Sequence, residues 1–172
     1  MQDEIAMEEL YQKYCKRIFD YLYKYTGNEE TAMDLMQDTF TNFFRIYGKS
    51  NLPEDKSIML LYTIAKNSSI NYSKKFSTRK ELSVVDTDYY GSQKNSFEKK
   101  EELKDMEQKL RDCLLLLPEE QRTAIILKNM EGMTLSQISD IMNLSISTIS
   151  RLVVKATARL IELAEEREIF PD

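Results

Sequence analysis

Residues 134–160 read TLSQISDIMNLSISTISRLVVKATARL. Thr134 and Gln137 stand at the spacing of a capping box, in which hydroxyl and amide satisfy the free N–H groups of a helix start. Leu135, Ile138, Ile141 and Met142 then place apolar side chains on one face of a short helix. Asn143 sits where a tight turn needs a residue tolerant of left-handed geometry. Ser145 is placed to cap a second helix whose core face is Ile149, Leu152, Val153, Ala156 and Leu160. The stretch therefore predicts helices of about nine and fifteen residues joined by a tight turn, a helix-turn-helix.

In such a unit the second helix enters the major groove of DNA. Its outward positions here are Ser147, Ser150, Arg151, Val154, Lys155, Ala158 and Arg159. Arg and Lys reach guanine or phosphate, Ser serves either, and Val154 can meet a thymine methyl. Upstream, Met106, Leu110, Cys113, Leu114 and Leu117 predict a helix stopped by Pro118. The next helix, PEEQRTAIILKNM, has two acids at its positive end and stops before Glu131-Gly132.

The rest of the chain divides around a polar segment. Of the ten Tyr and seven Phe, 13 lie within residues 1–76, three in 77–105, and only Phe170 lies beyond. Residues 77–105, including DTDYYGSQKNS, lack sustained periodicity and read as a flexible linker whose charged end feeds the next helix. The four Gly and three Pro fall almost entirely between periodic segments, and no segment alternates apolar and polar residues over a useful length. The expected fold is all-α: one helical module over 1–76, the linker, a second over 106–165 holding the helix-turn-helix, and an acidic tail at 166–172. With a linker of that composition the two modules are expected to reorient freely in the isolated protein, unless a contact between them holds it inactive.

In the first module, Leu10, Tyr14, Ile18, Leu22 and Tyr25 form the stripe of a helix ending at Thr26-Gly27. A second helix begins near Asn28, with Met36, Phe40, Phe43, Phe44 and Tyr47 on its apolar side. Its other face carries Asp34, Gln37, Asp38 and Thr41 at i, i+3, i+4 and i+7. That face is either simply solvated or a docking surface for a basic partner; no further ligand type accompanies the two acids to make a metal site. After a Gly48–Pro53 loop, a third helix spans roughly Ser57 to Phe76. Leu61, Ile64, Ala65, Ser68 and Tyr72 line one side of it, and Thr63, Asn67, Asn71, Lys74 and Lys75 another. Asn and Lys at these steps can bond bases and phosphates, and nearby aromatics can stack on unpaired bases; a solvated polar face has the same pattern.

Composition narrows the function. The chain has 172 residues, 31% of them charged and 42% hydrophobic, a globular composition. It has no His, which removes Ser-His-Asp and Cys-His catalysis and imidazole zinc ligands, and no Gly-rich phosphate loop. No apolar run has the length to span a membrane, and MQDEIAMEEL is acidic where a secretory signal is basic, so a cytoplasmic protein without membrane insertion is expected. Cys15 and Cys113 both fall on apolar stripes and are expected as two buried thiols. The net charge of −5 is unusual for a protein that grips DNA alone, because phosphate neutralisation supplies much of such affinity. Something else must help hold it there.

These residues resemble a known family, the bacterial RNA polymerase sigma factors, and within it the small extracytoplasmic-function (ECF) group built from regions 2 and 4. Asp34-Leu35-Met36-Gln37-Asp38-Thr39-Phe40 is similar to the region 2.2 signature DLxQDxF. Leu60 through Asn67, followed by Asn71-Tyr72-Ser73-Lys74-Lys75, resembles the WLYxIAxN…DxxRR helix that handles the −10 element. Leu117-Pro118 through Arg122 and Glu131-Gly132-Met133-Thr134 resemble the LPxxxR…EGxS lead-in of region 4, and Ser147-Thr148-Ile149 its STV recognition start. The likeness covers about residues 8–162 in the family's order. Here Leu60 replaces the usual Trp, Asn71 and Lys74-Lys75 replace the usual Asp and Arg pair, and Ser150-Arg151-Leu152 replaces Lys-Ser-Arg.

The resemblance implies roles. Asp34, Leu35, Gln37, Asp38 and Thr41 would dock on the clamp helices of core RNA polymerase, with the second module near its flap. Tyr47, Lys56, Thr63, Lys66, Asn67, Asn71, Lys74 and Lys75 would hold the melted −10 strand, the Tyr47–Lys56 loop taking a flipped base. Ser147, Thr148, Ser150, Arg151, Val154, Lys155 and Arg159 would read the −35 duplex. An anti-sigma factor is the implied silencing partner; no cofactor, metal or catalytic residue is implied. Two other readings stay open on the residues alone. One is a dimeric helix-turn-helix regulator that needs no polymerase, and the other a helical adaptor; enzymatic activity ranks last.

Overall fold

The computed structural model describes residues 2–82 and 98–170. All regular elements among these residues are helical: α1 (Gln2–Thr26), α2 (Glu29–Tyr47), α3 (Glu54–Leu82), α4 (Glu98–Leu115), α5 (Glu119–Ile125) continued by a π-helical turn (Ile126–Met130), α6 (Leu135–Met142) and α7 (Ile146–Glu166).

The local signals act where the sequence places them. Asn28 caps α2 by accepting the Thr31 amide at 2.8 Å, and Glu29 and Glu30 occupy its positive end. The capping box of α6 is complete: Gln137 N–H donates to Thr134 Oγ1 at 3.1 Å, and Thr134 N–H donates to Gln137 Oε1 at 3.0 Å. Asn143 closes α6 in the left-handed region at φ 52°, and Ser145 caps α7 through the Thr148 amide. Gly27 ends α1 at φ 68°, where a side chain is strained. A Cβ there would also stand 2.9 Å from Leu115 Cδ1, so this turn packs against the end of α4.

Helices α1, α2 and α3 pack as a three-helix body around Ile18, Tyr21, Leu22, Met36, Phe40 and Leu61. Beyond it, α5 and α6 pack on α7 around Ile125, Leu127, Ile138, Ile141 and Ile149. The two bodies are not separate. Their buried side chains form one apolar cluster, with α6 lying on α3 and α4 on α1. A contact between the modules of this kind is the exception to free reorientation that the linker's composition leaves open. Tyr62 lies wholly inside the cluster, although helical spacing on α3 had pointed to Ile64, Ser68 and Tyr72, which are half-buried.

Helix boundaries differ from the sequence reading in three places. α3 runs on to Leu82 and α4 begins at Glu98, so both ends of the segment read as linker are helical; residues 83–97 lie outside the described residues. α7 has 21 residues and reaches Glu166. The tail after it folds back: the Ile169 amide donates to the Ala164 carbonyl at 3.0 Å, and Ile169 is buried with Cys113 and Leu163.

The cysteines also separate. Cys113 is fully buried, and burial raises its thiol pKa, whereas Cys15 is only half-buried rather than buried as its stripe position suggested. A thiol reagent applied to native protein is therefore expected to modify Cys15 promptly and Cys113 only in denaturant. Two equally fast thiols in a native Ellman titration would remove Cys113 from the core.

Candidate nucleic-acid and protein interfaces

On α2 the pattern at i, i+3, i+4 and i+7 becomes a surface. Asp34, Gln37, Asp38 and Thr41 are all exposed, opposite the buried Met36, Phe40 and Phe43. Leu35 is half-buried and anchors the edge of this face to the core. Thr39 points inward and donates to the Leu35 carbonyl at 2.7 Å. Met33 and Ile46 are exposed on the same helix, where the sequence reading assigned no role. Their signal in the sequence is apolar identity off the apolar stripe. Acidic centre and apolar margins together suit a protein partner better than a metal ion. Among the described residues no cluster of His, Cys, Asp or Glu is placed to hold a metal.

The α2–α3 loop forms the second surface. Tyr47 packs on Phe43 with ring planes tilted by 45° and centroids 5.5 Å apart. The loop is pinned at its far end, where Glu54 accepts hydrogen bonds from Lys13 Nζ and Tyr14 Oη of α1. Those two donors hold the Glu54 carboxyl below its ordinary pKa. Between loop and α1 lies a cavity of about 580 Å³, lined by Leu10, Lys13, Phe44, Tyr47, Asn51 and Leu52. Its mixture of aromatic and polar walls offers a planar group both stacking and hydrogen bonds.

Along α3, Lys56, Asn67, Asn71, Lys74 and Lys75 are exposed. Tyr72 and Phe76 extend this side with nearly parallel rings, 6.1 Å apart and inclined by 22°. Two residues of the predicted set sit differently. Thr63 is half-buried, its hydroxyl donating to the Met59 carbonyl at 2.9 Å. Lys66 is drawn into the junction with the second module; burial lowers its pKa, and Glu120 of α5 partly restores it.

The third surface is α7. Ser147, Ser150, Arg151, Val154, Lys155 and Arg159 are exposed and Thr148 is half-buried, while Ile149, Ala156 and Leu163 face the core. Ser145 Oγ lies 3.2 Å from Ser147 Oγ and 2.8 Å from Thr148 Oγ1, and Arg151 donates to Thr148 Oγ1 at 3.3 Å. This network orders the helix start before any ligand arrives. Val154 is 65% exposed beside Arg151 and Lys155, which suits an apolar contact such as a thymine methyl; Ile146 and Ile161 are further exposed apolar residues of the same helix. Arg159 is held within its own helix by Glu162 at 2.9 Å and Glu166 at 3.8 Å.

A three-helix body with an exposed acidic face, followed by a helix-turn-helix with an exposed polar, partly basic face, is the layout of a transcription-initiation specificity subunit. Residues 10–79 match sigma-70 region 2, and residues 107–160 match sigma-70, region 4. The chain belongs to the sigma-70 family, in the ECF group of RNA polymerase sigma factors.

Its relatives share nearly the whole length. RNA polymerase sigma factor YlaC of Bacillus subtilis (strain 168) is 27% identical over 164 residues, which covers 93% of this chain and 92% of that protein. ECF RNA polymerase sigma factor SigM of the same organism is 26% identical over 158 residues, covering 91% and 93%. Among solved structures, the sigma factor RpoE in complex with the anti-sigma factor NepR from Bartonella quintana has the same fold, with a TM-score of 0.68 at 20% identity over 93% of this chain and 97% of that one.

Proposed function

We propose that this protein binds core RNA polymerase and directs it to promoters carrying −10 and −35 elements. The observation that carries the reading is an exposed polar and partly basic face on the second helix of a helix-turn-helix, α7, in a chain whose net charge is −5. Such a chain lacks the basic surplus for strong binding to duplex DNA alone, so the polymerase must contribute phosphate attraction. The Asp34, Leu35, Gln37, Asp38 and Thr41 face docks on the clamp helices, and the second module lies near the flap.

The −10 element is handled as single strand. Unstacking a base costs a few kcal/mol, which stacking and a positive groove offset. The cavity beneath Tyr47–Lys56 receives the extruded base, while Thr63, Lys66, Asn67, Asn71, Lys74 and Lys75 hold the strand on either side of it. The −35 element is read as duplex by Ser147, Thr148, Ser150, Arg151, Val154, Lys155 and Arg159. The domains divide accordingly: 1–76 for docking and melting, 77–105 as connector, 106–165 for duplex reading, 166–172 as tail. The protein works in the cytoplasm without catalysis of its own. The solved neighbour is bound to an anti-sigma factor, which supports a protein of that kind as the silencing partner here.

Run-off transcription with purified core polymerase on genomic fragments tests this directly. Defined transcripts appear only when this chain is added. Tight, sequence-specific duplex binding in the absence of polymerase, with no transcripts, would instead make it an operator-binding regulator. On a promoter recovered this way, Arg151→Ala is expected to weaken initiation about 5- to 150-fold, the loss for one bidentate base contact of about 1–3 kcal/mol. An unchanged footprint over the −35 element would take Arg151 out of the reading set.

A further inference from the structure

The loop between α2 and α3 is held to α1 at both of its ends. At its start, Gly48 comes so close to α1 that a Cβ there would stand 3.2 Å from Met7 Sδ. At its end, the Glu54 carboxylate accepts from Lys13 Nζ and Tyr14 Oη, partners 41 and 40 positions away in the sequence. Burial, and then the bond to Glu54, push the Tyr14 phenol above its ordinary pKa, so it remains a donor. Between the two anchors the chain turns tightly. The Ser50 amide donates to the Tyr47 carbonyl at 2.8 Å and the Leu52 amide to the Ser50 carbonyl at 3.0 Å, which places Asn51 at the apex of a three-residue turn. Pro53 then stiffens the backbone between Leu52 and Glu54. Its carbonyl accepts both the Ser57 amide at 3.0 Å and Ser57 Oγ at 3.2 Å. A shift of Glu54 is therefore passed on to Asn51 with little slack.

Stability of the fold does not account for this anchor. The Lys13 and Glu54 side chains are 59% and 53% exposed, and ion pairs so exposed contribute little. What the anchor fixes is the place of Asn51 relative to α1, across the cavity of about 580 Å³ that both line. Phe44 and Tyr47 give that cavity ring faces on which a base can stack, and Asn51 offers a donor and an acceptor together to a base edge. Lys13 lines the cavity as well, and its bond to Glu54 keeps its charge from attracting phosphate whatever the base. We propose that Glu54 is a positioning residue for base reading: bound to Lys13 and Tyr14, it holds Asn51 at the setting that distinguishes the extruded base. Helix α1 thereby takes part in −10 specificity through the loop it holds. This role in base choice rests on the −10 reading above; the anchoring of the loop does not.

Two arms test the two halves, both with the full chain. In the free protein, hydrogen exchange at the Ser50 and Leu52 amides follows the loop. Glu54→Gln speeds it several-fold, because opening the loop no longer breaks charge-assisted bonds. Tyr14→Phe does so to a smaller degree, and Lys13→Arg, which keeps a cationic donor, stays at the wild-type rate. Circular dichroism checks that the helices persist; if Glu54→Gln unfolds, Tyr14→Phe carries both arms. In the second arm, core polymerase with each variant binds single strands of a −10 element recovered by run-off transcription, with each of the four bases placed at each position in turn. Asn51→Ala marks the position that the loop reads, where base preference disappears. There Glu54→Gln lowers the preference at least about fivefold, leaves preference elsewhere as in wild type, and holds or raises overall affinity, since Lys13 is freed to attract phosphate. Lys13→Arg keeps the wild-type preference. A merely structural role would weaken binding of all strands alike. That outcome, unchanged exchange, an unchanged preference in Glu54→Gln, or no position flattened by Asn51→Ala overturns the proposal. Wild type that yields no promoter or no base preference refutes the −10 reading, and the exchange arm still decides whether Glu54 holds the loop.

Discussion

An Arg122→Met protein is expected to unfold roughly 6–12 °C below the wild type, which corresponds to about 3 kcal/mol for a chain of this size. Arg122 is buried, and its guanidinium donates to three main-chain carbonyls: Leu115 at 2.9 Å, Leu117 at 3.1 Å and Tyr25 at 3.3 Å. It also stacks over the Tyr25 ring at 4.7 Å. Methionine fills the volume but leaves those acceptors without a donor, and a buried unsatisfied group costs more than the bond it replaces. Arg122→Lys recovers only part of the loss, because a single ammonium does not reproduce the planar fork. Thermal denaturation followed by circular dichroism measures the effect. A midpoint within about 2 °C of wild type would mean that water has taken the place of the guanidinium.

The second large effect is on assembly. Reversing both acids of the α2 face, Asp34→Lys with Asp38→Lys, is expected to weaken binding to core polymerase at least about 100-fold at low salt, since like charges set against a complementary surface cost several kcal/mol. The difference shrinks as ionic strength rises. Both side chains are exposed and neither is buried against the core, so the unfolding midpoint should move little. Equilibrium titration of labelled protein with core polymerase decides the matter. Equal affinity for variant and wild type would move the docking surface elsewhere on the molecule.

Much of the site was legible before any coordinates. The exposed row Asp34, Gln37, Asp38 and Thr41 follows from helical spacing alone, as does the outward set from Ser147 to Arg159, because a helix period determines which residues share a face. Lys66 and Thr63 were not legible in the same way. Their spacing puts them beside Asn67 and Asn71, yet the approach of the second module half-buries Lys66, and Thr63 spends its hydroxyl on the Met59 carbonyl. Arg159 likewise reads as an open cation, yet Glu162 one turn on and Glu166 two turns on both reach it. Met33 and Ile46 carry no periodic signal, because both lie off the apolar stripe of α2.

By itself the sequence determined the helices, their caps at Asn28, Thr134 and Ser145, the left-handed turn at Asn143, and the faces that meet solvent, since each depends on interactions within a few residues. Only the tertiary structure decided what the apolar faces pack against. Glu131 meets Tyr62 across 69 positions and Lys24 across 107, and Arg122 reaches Tyr25 across 97. No local pattern encodes such pairings: a stripe specifies that a surface must be buried but is silent about its partner, and a buried charge is tolerable only once distant donors or acceptors have come together around it.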